Sequence, residues 1–131
     1  MALSFFQRLA YAGELRRRAR RQAKLEAIVA PATKEVARSI ANLKPRVSEH
    51  FFYGAIGIDP RFLVTWYLFR TDAELRDAEG SGLTNKIVDE TRKQLLDRGY
   101  PHESVSLVSV AFTSDEDIQR KTGGNRYHYF K

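Results

Sequence analysis

Along residues 4–29, apolar side chains recur at helical spacing: Phe5, Phe6, Leu9, Ala12, Leu15 and Ala19 form a stripe that Leu25, Ile28 and Val29 resume. The residues between them are mostly Ala, Arg, Gln and Glu, strong helix formers interrupted only by Gly13, so the pattern predicts one helix. Pro31 is expected to break it, because proline lacks a helix donor and crowds the preceding turn. Thr33 then caps a second helix with Val36, Ile40, Leu43 and Val47 on its buried face, ended by Pro45.

The pattern changes at His50. Residues 51–58 and 62–70 are dense in Phe, Tyr, Trp, Ile and Val and flank Asp59-Pro60-Arg61, which predicts a β-hairpin. A short helix over 72–79 follows, capped by Thr71 or Asp72. Gly80-Ser81-Gly82 separates it from a helix over 83–98, with Leu83, Ile87, Val88, Thr91 and Leu95 on its buried face and Gly99 as its stop. Residues 104–113 read as a third strand. Ser114-Asp115-Glu116-Asp117 has the spacing of a helix cap with an acidic first turn, starting a helix that runs to about Lys121. After Gly123-Gly124, residues 126–130 read as a last strand.

These elements predict an α+β fold: a four-stranded, mostly antiparallel sheet with helices on one face, preceded by a basic N-terminal helical arm. The order can be drawn as a circular permutation of the ferredoxin-like arrangement, the last strand filling the place of the first. Residues 1–30 form the arm and 31–131 a single α+β domain, which suits a chain of 131 residues. Within 62–70, Val64, Trp66 and Leu68 share one face, and Leu63, Tyr67 and Phe69 the other. Both faces are therefore apolar, and something must cover the one the helices leave open. The expected covers are the N-terminal helix folded back, a second subunit, or a ligand stacked on the aromatics.

Composition narrows the chemistry. The absence of Cys excludes disulfides, thiolate metal sites and a Cys nucleophile, which suits the cytoplasm as the expected compartment. Apolar runs are too short to span a membrane. Residues 1–30, Arg-rich and acid-poor, also suit an organelle-targeting segment as a minor reading.

Charge changes the picture most. Residues 1–49 hold 11 Lys and Arg against 4 Asp and Glu, so the whole net charge of +6 belongs to the N-terminal part. Arg16, Arg17, Arg18, Arg20, Arg21 and Lys24 carry most of it. At about 100° per residue they surround a helix and cannot all face inward, so several must meet solvent or an anion. Nucleic-acid phosphates, an acidic protein, or an anionic membrane with Phe5, Phe6 and Leu9 inserted would each serve.

Other signals are bland. The aromatics lack an RNA-recognition signature, and His50, His102 and His128 have no metal-binding spacing, so no metal and no cofactor is expected. No serine elbow or phosphate loop is present. Asp115, Glu116 and Asp117 fit a helix N-terminus and not a calcium loop.

The C-terminal Arg126-Tyr127-His128-Tyr129 resembles the end of some ribosome-dependent mRNA interferase toxins, small basic proteins in which a terminal His-Tyr pair works with upstream Arg and Glu. The resemblance implies His128 as the proton-transfer residue, Tyr129 as its companion and Arg126 as a phosphate contact. It covers four residues, and the helix over 83–98 and the acidic insertion 115–117 depart from that family's run of consecutive strands. The reading preferred here is a non-enzymatic interaction module that self-associates or binds a protein partner. Its contacts are the basic cluster and an apolar sheet surface of Tyr53, Trp66, Tyr67, Phe69 and Tyr127; the alternatives are a nucleic-acid-binding protein or metal-independent ribonuclease-like toxin using Arg126, His128 and Tyr129, and a targeting or membrane-surface arm on an unrelated domain.

Overall fold

The computed structural model describes residues 4–131. Helix α1, Phe5–Ser39, is 35 residues and thus about 52 Å long. Its start is a capping box: the Ser4 hydroxyl accepts the Gln7 backbone N–H at 3.1 Å, and the Gln7 side chain accepts the Ser4 N–H at 2.8 Å. The expected break at Pro31 is absent, and α1 continues through it. Val29, Ala32, Thr33 and Val36 are all buried around that proline, and their packing outweighs the ~3 kcal/mol a helical proline costs. Pro31 and Ala27, whose carbonyl loses its donor, both face solvent, where water can serve it. Thr33 is accordingly no cap; its hydroxyl donates to the Val29 and Ala30 carbonyls at 3.2 Å.

Strands β1 (Glu49–Tyr53) and β2 (Val64–Phe69) pair antiparallel, with Phe51 opposite Trp66. β1 is shorter than the predicted strand because Gly54 turns the chain out of the sheet at φ +138°. A loop leads from there to a 3-10 turn, Pro60–Phe62, capped by the Asp59 carboxylate. Helices α2 (Asp72–Gly80) and α3 (Leu83–Asp97) and the single turn α4 (His102–Val105) then carry the chain back to β3 (Ser109–Ser114), parallel to β2. Helix α5 (Asp115–Thr122) and a last turn, α6 (Arg126–Tyr129), complete it.

The fold is therefore α+β, but its sheet is three-stranded and mixed, order β1-β2-β3, and not four-stranded and mostly antiparallel. Two local choices explain the difference. Residues 104–113 begin as a helical turn after Pro101, which sends Val105 and Val108 together into the core. Residues 126–130 are helical because the Asn125 side chain accepts the His128 N–H at 3.1 Å, closing a turn where the fourth strand was expected.

One sheet face, with Phe52, Thr65, Tyr67, Phe69, Val110 and Phe112, packs under α1, α2 and α3 in two adjoining clusters. At its centre the Tyr67 hydroxyl donates to Thr91 Oγ1 at 2.8 Å, and Thr91 donates onward to the Ile87 carbonyl. Burial in that site pushes the Tyr67 phenol up to about 12. The opposite face is met by the chain's own C-terminus: the Phe130 ring stands edge-on to Phe51 and Trp66, with centroids 4.9 Å apart in both pairs. That cover was not among those expected.

Candidate functional site

The basic cluster lies where α1 leaves the body. The junction is a clamp on the loop after β1. The Gln22 side chain accepts the Gly57 N–H at 2.6 Å and donates to the Gly54 carbonyl at 3.0 Å, while Arg21 Nε donates to the Gly57 carbonyl at 2.6 Å. Gly57 is required there, because a Cβ would overlap the Arg18 carbonyl and come within 2.9 Å of Gln22 Cβ. Below the clamp α1 joins the core, beginning with Leu25; no described residue of α1 before Leu25 is buried. Above it, about four turns project freely.

This geometry divides the cluster. Arg21 is spent on the clamp, and Arg17 and Arg18 both bond the Glu14 carboxylate, which they hold below the usual carboxylate range. Arg16, Arg20 and Lys24 are exposed and form no ion pair among the described residues. At about 100° per residue these three share an arc of about 80° on the side opposite Leu25, Val29 and Val36. Exposed Lys34 extends that outward ridge along the body, while Arg38, on the same side, is paired with Glu35 at 2.5 Å. Phe5, Phe6 and Leu9 occupy the same arc at the tip and are 63%, 78% and 51% exposed.

The apolar candidates do not form one surface. Tyr67 and Phe69 are fully buried under the helices. Trp66 lies on the other face, half-buried beneath Phe130, and its indole donates to the Tyr53 hydroxyl at 3.1 Å. Tyr127 is exposed on α6, its ring beside that of His128.

The C-terminal candidates are also separated. Arg126 is paired with Glu49 at 2.5 Å and Asp115 at 3.8 Å, which ties α6 to β1 and the start of α5. The Tyr129 hydroxyl donates to the Asp117 carboxylate and accepts from Thr113 Oγ1 at 2.5 Å, so it faces inward. His128 lies about 100° further round the turn from Tyr129, beside the Tyr127 ring. Of the other histidines, His50 stacks on Tyr67 and His102 pairs with Glu103. Among the described residues no group of three or more His, Asp or Glu side chains is arranged to hold a metal ion.

A cleft of about 470 Å³ opens at the carboxyl ends of the parallel strands, the place where α/β sheets commonly bind ligands. Four of its charged residues, Asp72, Asp117, Arg120 and Lys121, satisfy one another. Asp72 accepts from Ser114 Oγ at 2.5 Å and Arg120 at 2.8 Å, Arg120 also reaches Asp117 at 2.5 Å, and Lys121 reaches Asp117 at 3.1 Å. The cleft is thus a lock between α2 and α5. The cap, in which Ser114 accepts the Asp117 N–H at 3.0 Å, is legible in the sequence, whereas the Asp117–Tyr129 bond across Gly123-Gly124 is not.

The lock has a pH signature. The Tyr129 hydroxyl, with Arg120 and Lys121, pulls the Asp117 carboxyl down from 3.8 to about 2. A depressed carboxyl stabilises the fold above its unfolded value and ceases to do so as pH falls through about 2. A carboxyl-detected NMR titration should place the Asp117 midpoint near 2, and Tyr129→Phe should raise it toward 3.8; an unmoved midpoint would contradict the bond.

No protein-family model, no curated protein and no solved structure matches the chain.

Proposed function

We propose that this protein is a non-enzymatic interaction module that attaches to an anionic partner surface through the outward ridge of α1. The observation that supports it most is the segregation of charge at the clamp. Arginines facing the body or Glu14 are engaged, whereas Arg16, Arg20 and Lys24 line up on the free side without carboxylates. Such a row concentrates positive potential on one line. The C-terminal Arg126, His128 and Tyr129 do not converge on a common space, so a binding function accounts for more of the surface than ribonuclease chemistry does.

The test is retention on a soluble or immobilised polyanion across a salt series. Replacing three contacting cations, as Arg16→Gln/Arg20→Gln/Lys24→Gln, should lower the slope of log K against log salt by about 2 to 3. The same loss of charge on α3 and its C-cap, as Lys86→Gln/Lys93→Gln/Arg98→Gln, should leave the slope nearly unchanged. Failure of the parent chain to bind any anionic probe, or equal effects of the two triple variants, overturns the reading.

A further inference from the structure

Resting on that reading, we infer that the anionic surface is a phospholipid bilayer, entered by the tip of α1. Phe5, Phe6 and Leu9 lie on the same outward arc as Arg16, Arg20 and Lys24, but closer to the helix end. By the same reckoning Tyr11 and Leu15, 58% and 44% exposed, lie toward the side of Leu25 and Val29, so the outward arc carries three large apolar side chains, Phe5, Phe6 and Leu9. Apolar surface of this density on a monomer marks an interaction site.

The axial order then selects the partner. Leu9 and Arg16 are seven residues apart, or about 10 Å along the axis, and an interfacial helix buries its apolar face about 5–10 Å into the headgroup boundary. With the tip inclined into that boundary, Arg16, Arg20 and Lys24 reach the level of the phosphates, their aliphatic stems lying along the apolar layer. A nucleic-acid backbone would use the cations and leave Phe5, Phe6 and Leu9 in water. No helix among the described residues is long and apolar enough to cross a membrane, so the contact is superficial. The body hangs on the opposite side of α1, beyond the Gln22 clamp, and does not obstruct it.

The experiment is co-sedimentation of the full chain with vesicles of phosphatidylcholine alone or with about 30% phosphatidylglycerol, at low and high salt, beside the polyanion series. The full chain should bind the anionic vesicles and not the neutral ones. Phe5→Ser/Phe6→Ser/Leu9→Ser should weaken partitioning by at least tenfold, given the apolar area withheld, while retention on the polyanion is unchanged. Arg16→Gln/Arg20→Gln/Lys24→Gln should weaken it by about a hundredfold, near fivefold for each cation. Circular dichroism checks that both variants fold. Polyanion binding without vesicle binding overturns the lipid inference and leaves the broader reading standing; binding to neither removes both. Equal vesicle binding by the tip variant and the parent also overturns it, as does lipid-independent self-association through the tip without vesicle binding.

Discussion

Replacing Gly54 by Ala should destabilise the protein by about 3 to 5 kcal/mol, the sum of backbone strain and overpacking at one atom. Gly54 sits at φ +138°, a conformation that L side chains rarely adopt. An added Cβ would overlap the Phe62 carbonyl oxygen and lie 2.9 Å from its carbonyl carbon. These are backbone atoms at the entry to β2, so they cannot swing aside as a side chain would. Moving the loop instead would break the Gln22 bond to the Gly54 carbonyl and lift Ile56, which is 1% exposed, out of the core. Domains of this size are stable by about 5–15 kcal/mol, so the loss is a large share of the total. Urea unfolding followed by circular dichroism should show the midpoint falling steeply with little change in slope. A midpoint within experimental error of the parent's would mean that the loop does not hold α1 in the way described.

The clamp also explains which parts of the fold are legible in sequence. α2, α3 and α5 are bounded by local chemistry, and their ends fall within a residue or so of expectation. Thr71 accepts the Glu74 N–H at 3.0 Å, Gly99 takes φ +92° after α3, and Ser114 caps α5. The two aromatic runs likewise pair antiparallel as their composition suggests. Where expectation fails, a distant contact overrules a local preference. Pro31 predicts a break, but only the core around Val29 and Val36 decides whether the helix survives it. Residues 126–130 have a strand's composition, yet Asn125 captures the turn and Phe130 finds Phe51 and Trp66 across the sheet. The site follows the same rule. The positive cluster is visible as composition, and the bond from Arg18 to Glu14 is local, but the engagement of Arg21 depends on Gly57, in a loop 35 residues away from Gln22.

Continuity of α1 also changes how the arm should be removed. Deleting residues 1–30 would take Leu25 and Val29 from the core and the Gln22 clamp from the loop, so loss of function would be confounded with loss of fold. Deleting only residues before Glu14 removes exposed and half-exposed turns and leaves every core contact in place. Studies of the projecting segment therefore rest on point variants or on that shorter deletion.

The second large effect is expected at the other end of the chain. Phe130→Ala should cost about 2 kcal/mol, because Phe130 meets Phe51, Trp66 and Tyr129 edge-on and aromatic pairs of this kind contribute about 0.5–1.5 kcal/mol each beyond the area they bury. The value stays below the 3–5 kcal/mol of a fully buried Phe→Ala change since Phe130 is itself only half-buried. The protein has a single tryptophan, Trp66, so the cover can be followed directly. Its emission should shift to the red and become more accessible to a soluble quencher in the variant, before any unfolding begins. Tyr127→Ala, three residues away but 75% exposed, should change stability by no more than about 0.5 kcal/mol and leave the emission in place. The contrast separates a specific cover from a general weakening of α6, which remains tied by Arg126 to Glu49 and by Tyr129 to Asp117 in both variants. If Trp66 emission and the unfolding midpoint were the same in Phe130→Ala as in the parent, the apolar face of β2 would need a different cover, and a second copy of the chain would become its first candidate.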